Sequence, residues 1–284
     1  MKKYLYFLLA ISLVIALSIF GTSCKKYSRS LYTYYYQLKE ASKLHREIKA
    51  YSEKINLLTK AAQKKIDKIE KLQLFSSSDY LTAADYVEEA LKPIKATEPE
   101  AFKITDAVNK FKKLRLPGAY QEYLRLLSRY SRAKETSLSA LIQLYEGYRD
   151  QYNLRYLIAN ITEVSNNAIK VFDEGRYTEA KELFTQTNEI MIQTKNALKQ
   201  LRNVERLSQL SQYLDKDQEI TLMSIERSKA LLSKNYSQEQ KLFETYKKLW
   251  EERESIQWKN EWKQYIAAHE NEFTETLFGR RRYF

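Results

Sequence analysis

The chain has 284 residues, a formal net charge of +12, and only five glycines and three prolines. So few turn-forming residues exclude a fold built from many short strands and hairpins, and they predict an all-α protein. The excess of lysine and arginine over acidic residues indicates either anionic partners or solvated helix faces whose lysines keep the protein soluble.

The first 24 residues have the layout of an export signal. Lys2 and Lys3 precede an uncharged, mainly apolar run over residues 4–23, and the chain's single cysteine, Cys24, follows that run. This segment resembles the signal of a bacterial lipoprotein. The resemblance implies that residues 1–23 are a signal peptide, cleaved before Cys24, and that lipid on Cys24 anchors the chain to a membrane.

Two other interpretations of this segment stay open. Gly21 and Ser23 are small residues suited to ordinary signal cleavage, which would leave a free thiol. Alternatively the uncharged run is retained, because it is just long enough to span a bilayer. In all three interpretations the rest of the chain is exported from the cytoplasm. We therefore expect no nucleic-acid partner.

The N-terminal segment, residues 24–96, is predicted to be helical. Residues 25–74 contain no glycine or proline, and their apolar residues recur at steps of three, four and seven. That spacing predicts one long helix, or two joined end to end. Ser76 to Asp79 offer an N-cap for a shorter helix from about Tyr80 to Leu91, and Pro93 is expected to end it.

A repeat occupies residues 97–275, after a helix start signal at Thr97 to Glu100. Three similar segments begin at Gly118, Gly175 and Lys234, at spacings of 57 and 59 residues. Each is predicted to be a helix–turn–helix corner. Left-handed turn residues are expected at Gly118, Gly175 and Asn235, and tyrosines that fold back over the preceding helix at Tyr120, Tyr177 and Tyr236.

The middle copy resembles a tetratricopeptide repeat. Ala168, Gly175, Tyr177, Ala180 and Phe184 match the small, turn, aromatic, small and aromatic positions of that family. The resemblance implies antiparallel long-helix hairpins, stacked as a short solenoid or bundle. The other two copies carry larger residues where the family has small ones, namely Phe111, Tyr123, Arg227 and Glu239.

The repeat predicts three hairpins, over residues 98–150, 154–213 and 216–275, followed by a basic tail at 276–284. Asp215 and Gln218 are expected to cap the first helix of the third hairpin. The second helix of the middle hairpin should bury a seam with alternating steps of four and three. Its members are Ala180, Phe184, Thr187, Met191, Thr194, Leu198 and Leu201.

No catalytic or phosphate-binding motif occurs in the sequence, so we expect no enzyme activity and no cofactor. The two histidines, His45 and His269, lie in separate predicted helices, which gives no metal site. Trp250, Trp258 and Trp262 lie eight and four residues apart on a predicted last helix. Their face is predicted to be core, and the alternative is a groove that binds a peptide or glycan.

These observations predict a lipid-anchored envelope lipoprotein that binds other envelope proteins as a scaffold. Lys25, directly after the cysteine, is not the acidic residue that retains some lipoproteins in the inner membrane, so the outer membrane or its periplasmic face is favoured. The alternative is a surface or periplasmic helical lipoprotein that binds anionic ligands or polysaccharide. Arg280, Arg281 and Arg282 are candidate contacts for anionic lipid or for a partner.

Overall fold

The computed structural model describes residues 26–201 and 204–278 of the chain. Over these residues the chain is helical and has no strand, which confirms the predicted all-α class. Cys24, the predicted signal peptide and Arg280 to Arg282 lie outside the described residues. The α-helices are α1 (Lys26–Ile69), α2 (Ser77–Lys95), α3 (Glu98–Lys112), α4 (Ala119–Asp173), α5 (Tyr177–Gln200), α6 (Ser208–Leu232), α7 (Tyr236–Glu254) and α8 (Trp258–Phe278), with a 3-10 turn at Val204–Leu207.

Helix α1 is a single helix with a heptad of buried residues along one face. Ala41, Ile48, Ile55, Ala62 and Ile69 are all buried, and successive members are seven residues apart. Such a repeat keeps one face of a helix against a neighbouring helix. Of the two predicted alternatives, one long helix is therefore the correct one.

Helix α2 begins where the serine cluster predicts. Ser76 is the N-cap: its hydroxyl accepts a hydrogen bond from the Asp79 backbone N–H, and the Asp79 carboxylate accepts one from the Ser76 N–H at 2.9 Å. The prediction that Pro93 ends this helix is wrong. Pro93 lies in the last turn, where burial of Leu91 and Ile94 stabilises the helix for two residues beyond it.

The chain folds as two compact units. Unit 1 consists of the chain up to Leu57 together with Thr97–Thr136, and unit 2 consists of Leu58–Ala96 together with the chain from Ser137 onward. Helices α1 and α4 each supply residues to both units. The predicted division between residues 96 and 97 follows sequence order, so it does not anticipate units that combine distant segments.

In unit 1, helices α1 and α4 run parallel and α3 runs antiparallel to both. Within unit 1, three hydrogen-bonded pairs join α1 to α4, and each of the three has a sequence separation of 78. A constant separation means that the two helices keep one register over about three turns. The pairs are His45 with Tyr123, Ser52 with Tyr130, and Asn56 with Lys134.

Two of the three predicted corners end in the same backbone motif. At the middle corner, Gly175 has a φ of +75°. Its N–H donates to the Phe172 carbonyl, and the Arg176 N–H donates to the Val171 carbonyl. These two bonds define a Schellman helix end. At the third corner, Lys234 takes the left-handed conformation with a φ of +57°. The prediction that Asn235 is the left-handed residue is therefore wrong. Asn235 instead caps α7 by accepting from the Gln238 N–H.

The corner near Gly118 is built differently. Gly118 is not left-handed, and its carbonyl accepts the Gln121 N–H at 2.9 Å at the start of α4. The prediction of a left-handed Gly118 is therefore wrong, because residues 113–118 with Pro117 form a longer connection. Of the corner tyrosines, Tyr177 packs on Phe172 with ring centroids 5.3 Å apart, as predicted, whereas Tyr236 is 67% exposed and does not fold back. Tyr120 is half-buried.

At all three corners, the same two repeat positions face each other with different chemistry. In the middle copy Ala168 and Ala180 share one buried cluster. The equivalent residues of the first copy, Phe111 and Tyr123, make an edge-to-face ring contact at 5.8 Å. In the third copy they are an arginine and a glutamate that form an ion pair. Where the first or third copy has a larger residue in place of a small one, the residue that faces it across the corner has a matching size or charge.

The predicted hairpin boundaries need correction. Helix α4 continues through residues 147–153, because a lone glycine costs a helix only about 1 kcal/mol and buried Tyr145 and Leu154 lie on either side. Asp215 and Gln218 lie inside α6, where both contact Lys195 of α5. The reversal between α5 and α6 instead falls between Gln200 and Ser208. The buried seam of α5 is confirmed in full.

We expect Gly175→Val to destabilise the protein by about 1–3 kcal/mol, because a β-branched residue is strained at positive φ. Nothing lies within 4 Å of an added Cβ there, so backbone strain alone should produce the loss. A lower melting temperature of the full chain, followed by circular dichroism, checks this.

Two variants serve as matched controls for the Gly175 prediction. Gly118→Ala should leave the melting temperature nearly unchanged, because Gly118 is not left-handed and has open space around it. Lys234→Gly should raise stability by about 0.5 kcal/mol, because it relieves the left-handed strain of a residue with a Cβ. Equal effects of Gly175→Val and Gly118→Ala would contradict the turn assignment.

Unit 1 should lose stability on mild acidification. Burial, and secondarily the charge of Lys49, lowers the pKa of His45, whose ring Nδ1 contacts the Tyr123 hydroxyl. The unfolded chain therefore binds a proton more readily, and stability falls as pH drops through about 6.5. We expect His45→Gln to reduce the difference in melting temperature between about pH 8 and about pH 5.

Tyr123→Phe is the matched control for the acid-sensitivity prediction. Burial raises the pKa of Tyr123 to about 12, so its hydroxyl stays neutral throughout this pH range. Since burial is the main cause of the His45 shift, Tyr123→Phe should keep the acid sensitivity. If His45→Gln melts with an unchanged pH dependence, the assignment to His45 is wrong.

Candidate protein-binding site on helices α6 to α8

Helix α7 packs on α6 without one fully buried residue. Its half-buried residues recur at steps of three and four, so they form a single stripe. The stripe consists of Glu239, Leu242, Phe243, Tyr246, Leu249, Trp250 and Arg253. Helix α7 is therefore held by arginines, aromatic rings and ion pairs more than by an aliphatic core.

Arg227 of α6 makes the contact at the corner end of this stripe. Its Nε and Nη2 donate to Glu239 Oε1 at 3.0 and 2.8 Å. The guanidinium lies 4.6 Å from the centroid of the Phe243 ring and 5.0 Å from those of Tyr246 and Phe172. A planar cation enclosed by rings and one carboxylate is well satisfied, although water is largely excluded.

Arg253 of α7 makes the equivalent contact four turns further along. Its Nη1 donates to Asp217 Oδ1 of α6 at 2.6 Å, and its Nη2 donates to Glu254 at 2.7 Å. The guanidinium lies 3.8 Å from the centroid of the Trp250 ring and 5.5 Å from that of Tyr213. Its Nε is buried and has no hydrogen-bond partner among the described residues.

Asp217 pairs with Arg253 at a real cost in desolvation. Burial raises the pKa of the Asp217 carboxyl, and the hydrogen bond from Arg253 opposes that shift without cancelling it. Both side chains of the pair are only 11% exposed. Such a pair adds little net stability but strongly disfavours any register in which either charge loses its partner.

Aromatic rings connect the two arginines and continue to α8. The centroid distances are 6.4 Å from Phe243 to Tyr246, 6.0 Å from Tyr246 to Trp250, and 5.4 Å from Tyr213 to Trp258. We call this set the arginine–aromatic ladder. It consists of Phe172, Arg227, Phe243, Tyr246, Trp250, Arg253, Tyr213 and Trp258.

The ladder ends at a surface cavity where α7 gives way to α8. The cavity has a volume of about 220 Å³. Pockets that enclose small-molecule ligands typically measure about 300–1,000 Å³, so this one has the size for a single large side chain. Its lining residues are Tyr213, Arg253, Glu254, Ile256, Gln257, Trp258 and Lys259.

Helix α8 fixes one wall of the cavity. The Glu261 carboxylate accepts the backbone N–H groups of Gln209 and Leu210 at 3.0 and 2.9 Å, so it caps the start of α6 from a distance. Carboxylates at helix N-termini are favoured by unpaired N–H groups and the helix dipole. On the same helix, Trp262 and Tyr265 are buried and stack with ring centroids 5.7 Å apart.

The predicted tryptophan face divides between two helices. The connection at 255–257 places Trp250 on α7, and Trp258 and Trp262 on α8. Trp262 is core, as predicted for the face, so the alternative of a groove does not apply to it. Trp250 lies under Arg253, and Trp258 lines the cavity.

Sequence reasoning missed Asp217 and Arg253. They lie 36 residues apart on different helices, and no local pattern links them. Arg227 and Glu239 were visible in the sequence, because both stand at repeat positions where the middle copy has alanines. Such paired departures could have identified the ion pair.

Comparison with known protein families, with curated proteins and with solved structures found no match for this chain. In the described part of the chain, no helix is long and apolar enough to cross a membrane. Those residues also hold no cluster of three histidine, cysteine or acidic side chains suited to a metal ion.

We expect Asp217→Ala and Arg253→Met each to destabilise the protein by about 2–4 kcal/mol, since each leaves a buried charge without its main partner. The double variant should lose less than the sum, with a coupling of about 1–3 kcal/mol. Denaturant unfolding of the four proteins in the cycle measures this coupling.

Lys216 and Glu252 form the matched control pair. They join the same two helices at 3.0 Å, but they are 32% and 48% exposed. The cycle of Lys216→Met and Glu252→Ala should therefore give a coupling below about 0.5 kcal/mol. Similar couplings for both pairs would contradict the importance of burial.

Proposed function

We propose that this chain is a membrane-anchored envelope lipoprotein and a scaffold that binds other envelope proteins. The single observation that carries the binding function is the cavity at the α7–α8 connection, whose lining includes Tyr213, Trp258 and Arg253. Tyrosine, tryptophan and arginine are the residues that most often dominate protein–protein binding energy, and they do so in small pockets that take one partner side chain.

We also propose a specific arrangement within the all-α class. In it, long-helix hairpins related to tetratricopeptide repeats are stacked on one another. Paired chemistry at equivalent corner positions and two identical Schellman turns support it. A stacked helical array offers an extended surface, which suits protein binding better than catalysis. The partner would insert one large side chain into the cavity, against the Tyr213 and Trp258 ring pair.

The anchor in this proposal is lipid on Cys24, and the site of action is the outer membrane or its periplasmic face. Support comes from the export-signal layout of residues 1–24. The runner-up function, binding of anionic ligands or polymers, is favoured by the net charge of +12. Salt separates the two, because polyanion binding weakens steeply as ionic strength rises, whereas packing of a side chain against the Tyr213 and Trp258 rings is much less sensitive.

A photo-cross-linking amino acid at Gln257, which lines the cavity, should give a discrete adduct in intact envelopes. Trp258→Ala should remove most of that adduct by deleting one wall of the cavity. Loss of the adduct with a melting temperature within a few degrees of the parent would support the proposal. Adduct yield on denaturing gels is the measurement.

Gln240 is the matched control position, because it is an exposed glutamine on α7 away from the cavity. Identical adducts from both positions, or an adduct that survives Trp258→Ala, would contradict a binding role for the cavity. Cys24→Ser should move the chain out of the membrane fraction. A variant that stays with membranes would mean that lipid on Cys24 is not the only anchor.

A further inference from the structure

One end of unit 1 collects positive charge. Residues 33–49 of α1, together with residues 106–125, hold nine lysines and arginines against four carboxylates, a formal charge of +5. All four carboxylates are within ion-pair distance of a neighbouring lysine or arginine. The acidic groups here are therefore already engaged.

Contacts within unit 1 bring the two segments together. His45 of α1 contacts the Tyr123 hydroxyl of α4, and Lys110 near the end of α3 and Tyr120 at the start of α4 interact electrostatically with Glu47 and Tyr34 of α1. The connection between α3 and α4 therefore lies beside the first third of α1. The last residue of α3, Lys112, and two residues of the connection, Lys113 and Arg115, are exposed.

Five exposed cations at this end have no ion pair among the described residues. Tyr35, 63% exposed, and Tyr36, 51% exposed, accompany them. Together these seven residues form what we call the basic end. Its cations are Lys39, Arg46, Lys112, Lys113 and Arg115.

We propose that the basic end binds the anionic headgroups of the membrane to which the chain is anchored. The inference rests on the proposed function in one respect, the lipid on Cys24. Lys39 lies thirteen residues beyond Lys26, about 20 Å along α1, so a tilt of the helix lays this end on the surface. Clustered cations are attracted to anionic lipid, and tyrosines favour the headgroup level.

The test uses the full chain with its natural anchor, mixed with vesicles of phosphatidylcholine alone or with about 30 mol % phosphatidylglycerol. A water-soluble amine reagent and mass spectrometry measure lysine modification. Anionic vesicles should slow modification of Lys39, Lys112 and Lys113 by about threefold or more, and high salt should remove the protection. Exposed Lys199, Lys241 and Lys248 serve as reference lysines and should not change.

A charge-deleted variant, K112Q/K113Q/R115Q, should also lose the protection of Lys39, whereas K199Q/K241Q/K248Q should keep it. Equal modification in both kinds of vesicle, or equal protection of all six lysines, overturns the inference. Flotation separates it from the proposed anchor. A chain that floats with both vesicles but shows no protection refutes only the basic end. A chain that floats with anionic vesicles alone refutes only the lipid anchor, and one that floats with neither refutes both.

Discussion

Each of the three repeat corners in this protein has one pair of side chains that face each other where the chain reverses. Two alanines allow close helix approach at the middle corner, two aromatic rings pack at the first, and an arginine and a glutamate pair at the third. These pairs differ greatly in volume and polarity. A facing pair can change together without loss of the corner, because each residue has to match its own partner in size and charge.

At the third corner the facing pair is polar, and the helix beyond it is held differently from the others. Helix α7 has no fully buried residue, so little hydrophobic free energy holds it on α6. The two arginines provide orientation, because Arg227 and Arg253 each require a set of rings and one carboxylate on the opposite helix. Helices held this way open more readily than the core, and binding surfaces are often drawn from such regions. The cavity at the α7–α8 connection lies in this part of unit 2.

Local features were predictable from the sequence, and contacts from distant segments were not. The α5 seam and the Ser76 cap depend on residues within a few turns, so the pattern alone indicates them. The start of α6 depends on Glu261, more than fifty residues away, so the prediction of a start at Asp215 is wrong. Continuity of α4 past Gly147 reflects burial on both sides, which outweighs a weak helix former. For the candidate site, the sequence indicates Trp250 and Trp258, whereas Asp217 and Arg253 come together only through folding.

In the part of the chain that the structure describes, the positive charges of the ladder are paired and largely buried, whereas those of the basic end are unpaired and exposed. In the ladder, each arginine is matched by a carboxylate within 3 Å and shielded from water, so added salt should hardly change it. At the basic end, five exposed cations have no matching carboxylate among the described residues, so their interactions extend into solvent and fall off over a Debye length of about 10 Å. An internally neutral surface selects partners by shape and contact, whereas an unbalanced one attracts any dense anionic surface nearby. Under the two proposals, the basic end would bind a membrane by charge and the cavity would bind a protein by packing, so neither surface would compete for the other's partner.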